Sequence, residues 1–282
     1  MPYMERSWIS KNQRFMIKEK YHSMKVMPQN PVIREKRKKR CGSTSVSQEQ
    51  INLRHRVKEL TRLIMDNFEG GDWWLTFQIE EKVSIKEFNK AYQQMMKKLR
   101  EFSAKHGRIL KYIAVKENLY GGGRMHGHML IPGWMKFSEL KKVLKKAWKL
   151  GNTFVKPFAG EAMDARRLAG YMCKEDPVNA AIEERARLMA AGEATGEFDK
   201  KAIAKLEREI KKTRSVLCPS KNLTRTKPVK KKITKSETYR DEIKPPKGYQ
   251  VVKELSYNGW TQDGYPYQHA VFERSDKKGE EP

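Results

Sequence analysis

Over residues 73–176 the hydrophobic pattern alternates between the period of a strand and that of a helix, and this restricts the fold more than any other feature. Trp73, Leu75, Phe77 and Ile79 interleave with Trp74, Thr76, Gln78 and Glu80, which predicts a strand with one apolar face. Across residues 84–105, Ile85, Phe88, Tyr92, Met95, Leu99 and Phe102 recur at spacings of three and four. That is the stripe of an amphipathic helix, with its aromatics and methionines in the core. Residues 109–117 predict a second strand, Tyr120-Gly121-Gly122-Gly123 a turn, and residues 125–131 a third strand. A helix over residues 138–150 presents Leu140, Val143, Leu144, Ala147 and Trp148, and residues 153–158 predict a fourth strand. Asp164 can cap a last helix, which carries Tyr171 and ends before Pro177.

The order β-α-β-β-α-β-α defines an α+β class: a ferredoxin-like, RRM-like split β-α-β sandwich with an antiparallel sheet. Its helices cover one sheet face and the other is expected to be free for a ligand. Many unrelated activities use this arrangement, so function has to come from side chains.

The flanks are less periodic. Residues 1–46 read as a flexible, disordered basic arm. Its run Arg34-Glu35-Lys36-Arg37-Lys38-Lys39-Arg40 lies between Pro28, Pro31 and a Gly-Ser-Thr-Ser stretch. Ser47 and Gln50 form an S-x-x-Q capping box, opening a helix with Leu53, Val57, Leu60, Ile64 and Phe68 on one face and Gly70-Gly71 at its end. The core domain is therefore expected over residues 47–176. Residues 177–235 read as a charged helical insert, interrupted at Gly192 and Gly196, followed by a basic linker with Lys230, Lys231 and Lys232. Residues 236–282 are expected to add C-terminal strands or a hairpin and a frayed tail.

With 60 Lys and Arg against 34 Asp and Glu in 282 residues, the formal net charge is +26. Such an excess fits a polyanionic partner, nucleic acid or an anionic surface, better than a small metabolite. No apolar run is long enough to span a bilayer, and the N-terminal residues lack the apolar core of a signal peptide. Cys41, Cys173 and Cys218 form neither a disulfide framework nor a C-x-x-C half-site, which fits a reducing cytoplasm. No G-x-x-x-x-G-K-[ST] loop is present, so the sequence offers no NTPase motor.

His126-Gly127-His128 lies in the third strand, where residues i and i+2 project from one face, so both imidazoles can reach one divalent cation. A hard cation also needs an oxygen ligand. Glu117 ends the preceding strand, and a register pairing Glu117 with His126 and Val115 with His128 puts all three on one face. Gly127 would leave the backbone open to a bulky ligand. Tyr171-Met172-Cys173-Lys174 places a phenol and an ammonium three residues apart on a helix. A metal that polarises a phosphate, beside a phenol able to attack it, can break and rejoin a DNA strand. The competing reading is a buried structural histidine pair with Tyr171 packed beside Leu168.

Trp74-Leu75-Thr76-Phe77, Glu117, His126-Gly127-His128 and Tyr171-Met172-Cys173-Lys174 together resemble, in order, the motifs of HUH endonucleases, specifically Rep-type initiators of rolling-circle replication. Closest in character is the family of the filamentous-phage replication initiator, and the resemblance runs over residues 51–176. Ser220-Lys221-Asn222-Leu223 and Tyr265-Pro266-Tyr267 look like its C-terminal portion. The resemblance implies nicking of one origin strand, a covalent 5′-phosphotyrosine intermediate and a free 3′-OH that primes synthesis. It assigns Tyr171 and Lys174 to catalysis, and His126, His128 and Glu117 to Mg²⁺ or Mn²⁺. Thr76 and Gln78 would line the DNA groove. Arg34, Lys36, Arg37, Lys38, Lys39, Arg40, Lys230, Lys231 and Lys232 would hold phosphates. Expected partners are single-stranded or origin DNA and a host helicase, polymerase and single-strand-binding protein, in a bacterial cytoplasm and without a membrane. The motif order is that of Rep proteins, and the single tyrosine departs from two-tyrosine initiators.

Rival readings are a single-tyrosine transposase, a mobilisation relaxase, a two-His-one-carboxylate iron oxygenase and a non-catalytic basic nucleic-acid-binding module. The last predicts binding that ignores EDTA and leaves no covalent adduct.

Overall fold

The computed structural model describes residues 3–22, 46–120, 123–213, 215–233, 241–260 and 264–275. They fall in two compact units: residues 44–223, and residues 1–43 together with 224–282.

The chain opens with β1 (Tyr3–Ile9) and β2 (Phe15–His22), an antiparallel hairpin closed by Ser10, whose hydroxyl accepts from the Phe15 N–H at 2.9 Å. The arm expected over residues 1–46 is thus folded in its first part. Met4, Arg6 and Trp8 alternate with Glu5 and Ser7, so neither face of β1 is uniformly apolar and its pattern hides a strand. The run Arg34 to Arg40 lies outside the described residues.

The larger unit begins with α1 (Val46–Asn67), whose Val57, Leu60 and Ile64 are almost fully buried. It starts one residue before Ser47, so Ser47 lies in the first turn and not at the expected cap. Next come β3 (Trp73–Gln78), α2 (Ile85–Lys105), β4 (Ile113–Glu117), β5 (His126–Ile131), α3 (Phe137–Ala147), β6 (Thr153–Pro157) and α4 (Ala162–Cys173). The capping box is on α2: the Ser84 hydroxyl accepts from the Glu87 N–H at 3.2 Å, and the Glu87 carboxylate accepts from the Ser84 N–H at 2.8 Å. Glu161 is the N-cap of α4, and Asp164 lies in its first turn. The unit closes with α5 (Glu175–Thr195), α6 (Lys200–Thr213) and β7 (Val216–Pro219). Gly192 does not interrupt α5. The helix ends at Gly196, whose φ of 77° is left-handed.

The sheet runs β6-β3-β5-β4-β7, every neighbouring pair antiparallel. Its first four strands have the split β-α-β order expected from the sequence, and β7 adds a strand beside β4. Leu75, Phe77, Met129 and Ile131 form a core with α2 and α3 on one face. The opposite face carries Trp74, Thr76, Val115, Glu117, His126 and His128, and it is not bare, because α4 crosses it. Tyr171 and Lys174 reach down to His128 and Glu117, and α1 and α5 pack against α4. The segment expected as a charged helical insert is docked: Arg185 of α5 is buried and donates to Glu49 of α1 at 2.7 Å.

The other unit is a second antiparallel sheet. β8 (Val229–Ile233) pairs with β1, β10 (Tyr257–Trp260) with β11 (Pro266–Arg274), and β11 with both β2 and β9 (Tyr249–Val251). A short 3-10 turn, Lys253–Leu255, follows β9. The basic linker expected around Lys230, Lys231 and Lys232 is therefore an edge strand. Met16, Ala270 and Phe272 form a small core with Ile243, Tyr249 and Val251.

Candidate active site

The register makes the site. Glu117 opposes His126 and Val115 opposes His128 across β4 and β5, as expected from the sequence. On the other side of β5, Thr76 opposes His128 and Gln78 opposes His126. Alternation therefore brings Thr76, Gln78, Glu117, His126 and His128 to one face.

Glu117, His126 and His128 each offer a ligand atom, all within 4.8 Å of one another, and the group could hold a metal ion. Both histidines are tied through Nδ1. His126 Nδ1 is 2.9 Å from the Arg124 carbonyl oxygen, which can only accept, so Nδ1 carries the proton. His128 Nδ1 is 2.9 Å from the Thr76 hydroxyl, and its ring stacks on Trp74 with centroids 5.1 Å apart and planes 4° from parallel. Both Nε2 atoms then face Glu117, at 2.9 Å from His126 and 4.0 Å from His128. Glu117 is 1 % exposed, and although His126 and Lys174 stand at ion-pair distance, neither carboxylate oxygen receives a directional hydrogen bond. Two imidazoles with their second nitrogens fixed and a buried, under-satisfied carboxylate suit a divalent cation.

The protonation states fit the same use. Burial alone would raise the Glu117 pKa, but His126 and Lys174 outweigh it and hold the carboxyl below its usual value. Glu117 raises the pKa of His126. Burial lowers His128 to about 4, with Glu117 opposing that shift and His126, Lys174 and Lys156 reinforcing it, so its ring is neutral at ordinary pH.

Tyr171 is 47 % exposed, and its hydroxyl lies 3.0 Å from His128 Nε2. Burial, and secondarily the Glu117 charge, raise its pKa, so the phenol is protonated at neutral pH. Lys174 Nζ lies 2.5 Å from Glu117 Oε2 and 4.8 Å from the centre of the Tyr171 ring. Lys174 does not continue the helix. At φ 55° and ψ 46° it is the left-handed hinge between α4 and α5. A non-glycine residue there is uncommon, and this backbone turn accompanies the reach of the ammonium back to Glu117.

Five expected residues are thus brought together: Glu117, His126, His128, Tyr171 and Lys174. Thr76 joins them as a partner of His128. Gln78 is half-buried on the same face. Lys230, Lys231 and Lys232 belong to the other unit, where Lys231 pairs with Glu5 at 3.3 Å. Gly127 does not open the backbone to a ligand: a Cβ there would point to the core face, 2.2 Å from Phe77 Cζ and 2.7 Å from the Val115 carbonyl oxygen. Two contributors were not foreseen. Trp74 stacks on His128, a role the register across β3 and β5 could have exposed. Phe154 opposes Thr76 from edge strand β6 and is 56 % exposed on the site's face.

Residues 72–176 match the model of the replication-associated protein ORF2/G2P family, a match consistent with a Rep-type replication initiator. The matched segment contains every residue of the candidate site. No curated protein and no solved structure matches the chain. Among the described residues no helix is long and apolar enough to cross a membrane.

Proposed function

We propose that the protein is a metal-dependent tyrosine endonuclease of HUH type, which nicks and rejoins single-stranded DNA to initiate rolling-circle replication of a phage or plasmid. One observation carries this reading: the Tyr171 hydroxyl, 3.0 Å from His128, meets the Glu117–His126–His128 group, inside a segment that matches a replication-associated family.

Glu117, His126 and His128 would hold Mg²⁺ or Mn²⁺, which when bound supplies Lewis-acid polarisation of the scissile phosphate. Tyr171 Oη attacks phosphorus in line. The Oη–P bond forms as the P–O3′ bond breaks; the phenol proton passes to water, and the leaving 3′ oxygen takes a proton from water. The Lys174 ammonium offsets charge on the phenolate and on the phosphate oxygens. Phe154 offers a face on which a neighbouring base can stack, and Lys156, close enough to bear on His128, a cation for its phosphate. The phosphotyrosine keeps the bond energy needed for rejoining, and the free 3′-OH is left for a polymerase. A host helicase would open the duplex and single-strand-binding protein would coat the displaced strand, in the bacterial cytoplasm.

Single-turnover cleavage of circular single-stranded DNA carrying the origin of its own replicon tests the reading. The reading expects linearisation with Mn²⁺ or Mg²⁺, none with EDTA and none with Tyr171→Phe. Binding without cleavage in either metal would assign the chain to the non-catalytic binding class. A relaxase or a transposase of one tyrosine shares the chemistry and would differ in the DNA end products.

A further inference from the structure

The second sheet has one face that the proposed activity does not use. Its register lays two rows across the strands. One runs Tyr257, His269, Glu19, Arg6, Lys230, and the next Gly259, Tyr267, Tyr21, Met4, Lys232, in each case from β10 through β11, β2 and β1 to β8. Alternation puts all ten residues on the same face. Further along the strands, Trp8, Phe15, Ile17 and Val271 on this face are buried. At the two rows it turns polar and aromatic. Tyr257 is 48 % exposed, Lys230 and Lys232 are exposed, and a Cβ built on Gly259 meets nothing within 4 Å.

A buried carboxylate organises the patch. Glu19, 3 % exposed, accepts from the Tyr267 hydroxyl at 2.9 Å, forms an ion pair with Arg6 and lies 3.3 Å from His269 Nδ1. Arg6 is held with its guanidinium carbon 5.9 Å from the centre of the Tyr21 ring, and Tyr257 stands 6.2 Å from Tyr267. Three tyrosines and three cations therefore share one antiparallel surface, with Arg6 and Tyr267 fixed by a partner beneath them.

We propose that this face binds single-stranded nucleic acid, with bases on Tyr21, Tyr257 and Tyr267 and phosphates on Arg6, Lys230 and Lys232. Aromatic side chains on a sheet accept the flat faces of unpaired bases, and flanking cations track the backbone without reading sequence. A duplex keeps its bases stacked and cannot use the rings. The net charge of +26 favours a polyanionic occupant over an acidic-poor protein surface. None of the six residues lies within the segment matched to the replication-associated family, so the site would be additional to the nicking centre and does not rest on it.

The test uses the full-length chain in EDTA, where no strand is cut, with a fluorescent oligothymidylate of about 16 nucleotides. Tyr21→Ala with Tyr257→Ala is expected to weaken binding by roughly tenfold or more, because two stacking platforms are removed. Tyr257→Phe should bind as the parent does. Lys230→Gln with Lys232→Gln should make the slope of log affinity against log salt shallower by about 0.7 for each phosphate no longer neutralised. Photo-crosslinks from 5-iodouracil should map to the tyrosines of this sheet. Melting curves of each variant separate weakened binding from impaired folding, and crosslink mapping on the unmodified chain needs no variant at all. Crosslinks confined to residues 44–223, or a blunt duplex binding through this face as tightly as the single strand, would overturn the proposal.

Discussion

The Thr76 hydroxyl lies 2.9 Å from Nδ1 of His128, from the strand directly beside it. With Thr76 accepting from Nδ1–H, the lone pair of His128 is placed on Nε2, the atom that faces Glu117 and Tyr171. Thr76 thus sets which nitrogen of His128 carries the lone pair.

Thr76→Val keeps the shape of the side chain and removes the oxygen. The expected result is a loss of metal affinity of about 10- to 100-fold, the usual effect of removing a ligand's hydrogen-bond partner. Mn²⁺ titration measures it, and ¹⁵N spectra of the ring should show a mixed His128 tautomer. Thr76→Ser should restore both. Unchanged affinity with an unchanged tautomer in Thr76→Val would remove Thr76 from the site.

Metal binding should depend on pH through His126. Its pKa is raised by Glu117, so the proton on His126 competes with the cation at and above the ordinary histidine value of about 6.5. Lowering pH through that raised pKa protonates His126 and weakens binding. Raising pH above it brings affinity to a plateau. His128, lowered to about 4, stays neutral throughout this window and adds no second step. Calorimetry across buffers of different ionisation enthalpy should find one proton released per metal below the plateau and none on it. Two protons released near neutral pH would contradict the assignment.

Gly127→Ala should destabilise the larger unit by about 1–3 kcal/mol, the range for forcing extra atoms into a packed core. The new methyl would point at Phe77 and the Val115 carbonyl, away from the metal face. Denaturant melts check the size of the loss. Gly127→Ala with Phe77→Leu should recover part of it, and a Gly127→Ala variant as stable as the parent would show that the strand can shift at no cost.

The β-α-β-β-α-β-α order was legible in the sequence because seven local patterns each fit one period. The Glu117–His126 register was legible because both residues stand at the ends of adjacent strands. The roles of Thr76 and Gly127 were not, because they depend on how β3 pairs with β5, across a helix and a strand of intervening sequence. The second sheet was the hardest to see. β1 and β2 pair with β8 and β11 from the far end of the chain, and charges on both of their faces blur the alternation that would mark them as strands.

Lys174 should contribute more to chemistry than to folding. Lys174→Gly keeps the left-handed backbone at no steric cost and removes the ammonium facing Glu117 and Tyr171. Single-turnover cleavage should slow by about 10²-fold or more, the scale for removing one electrostatic partner of a transition state. Metal-loaded protein should melt close to the parent. Cleavage at the parental rate would reassign Lys174 to a structural hinge alone.

The central claim is that the Tyr171 oxygen becomes bonded to DNA phosphorus. Mass spectrometry of proteolysed protein, after reaction with origin-bearing single-stranded DNA and Mn²⁺ and then denaturation, tests this most directly. A nucleotide retained through a 5′-phosphate on the peptide containing Tyr171, absent with EDTA, His128→Ala or Tyr171→Phe, is the expected result. A 5′-phosphotyrosine on Tyr112, Tyr120 or any other tyrosine, or cleavage with no covalent adduct, would contradict it.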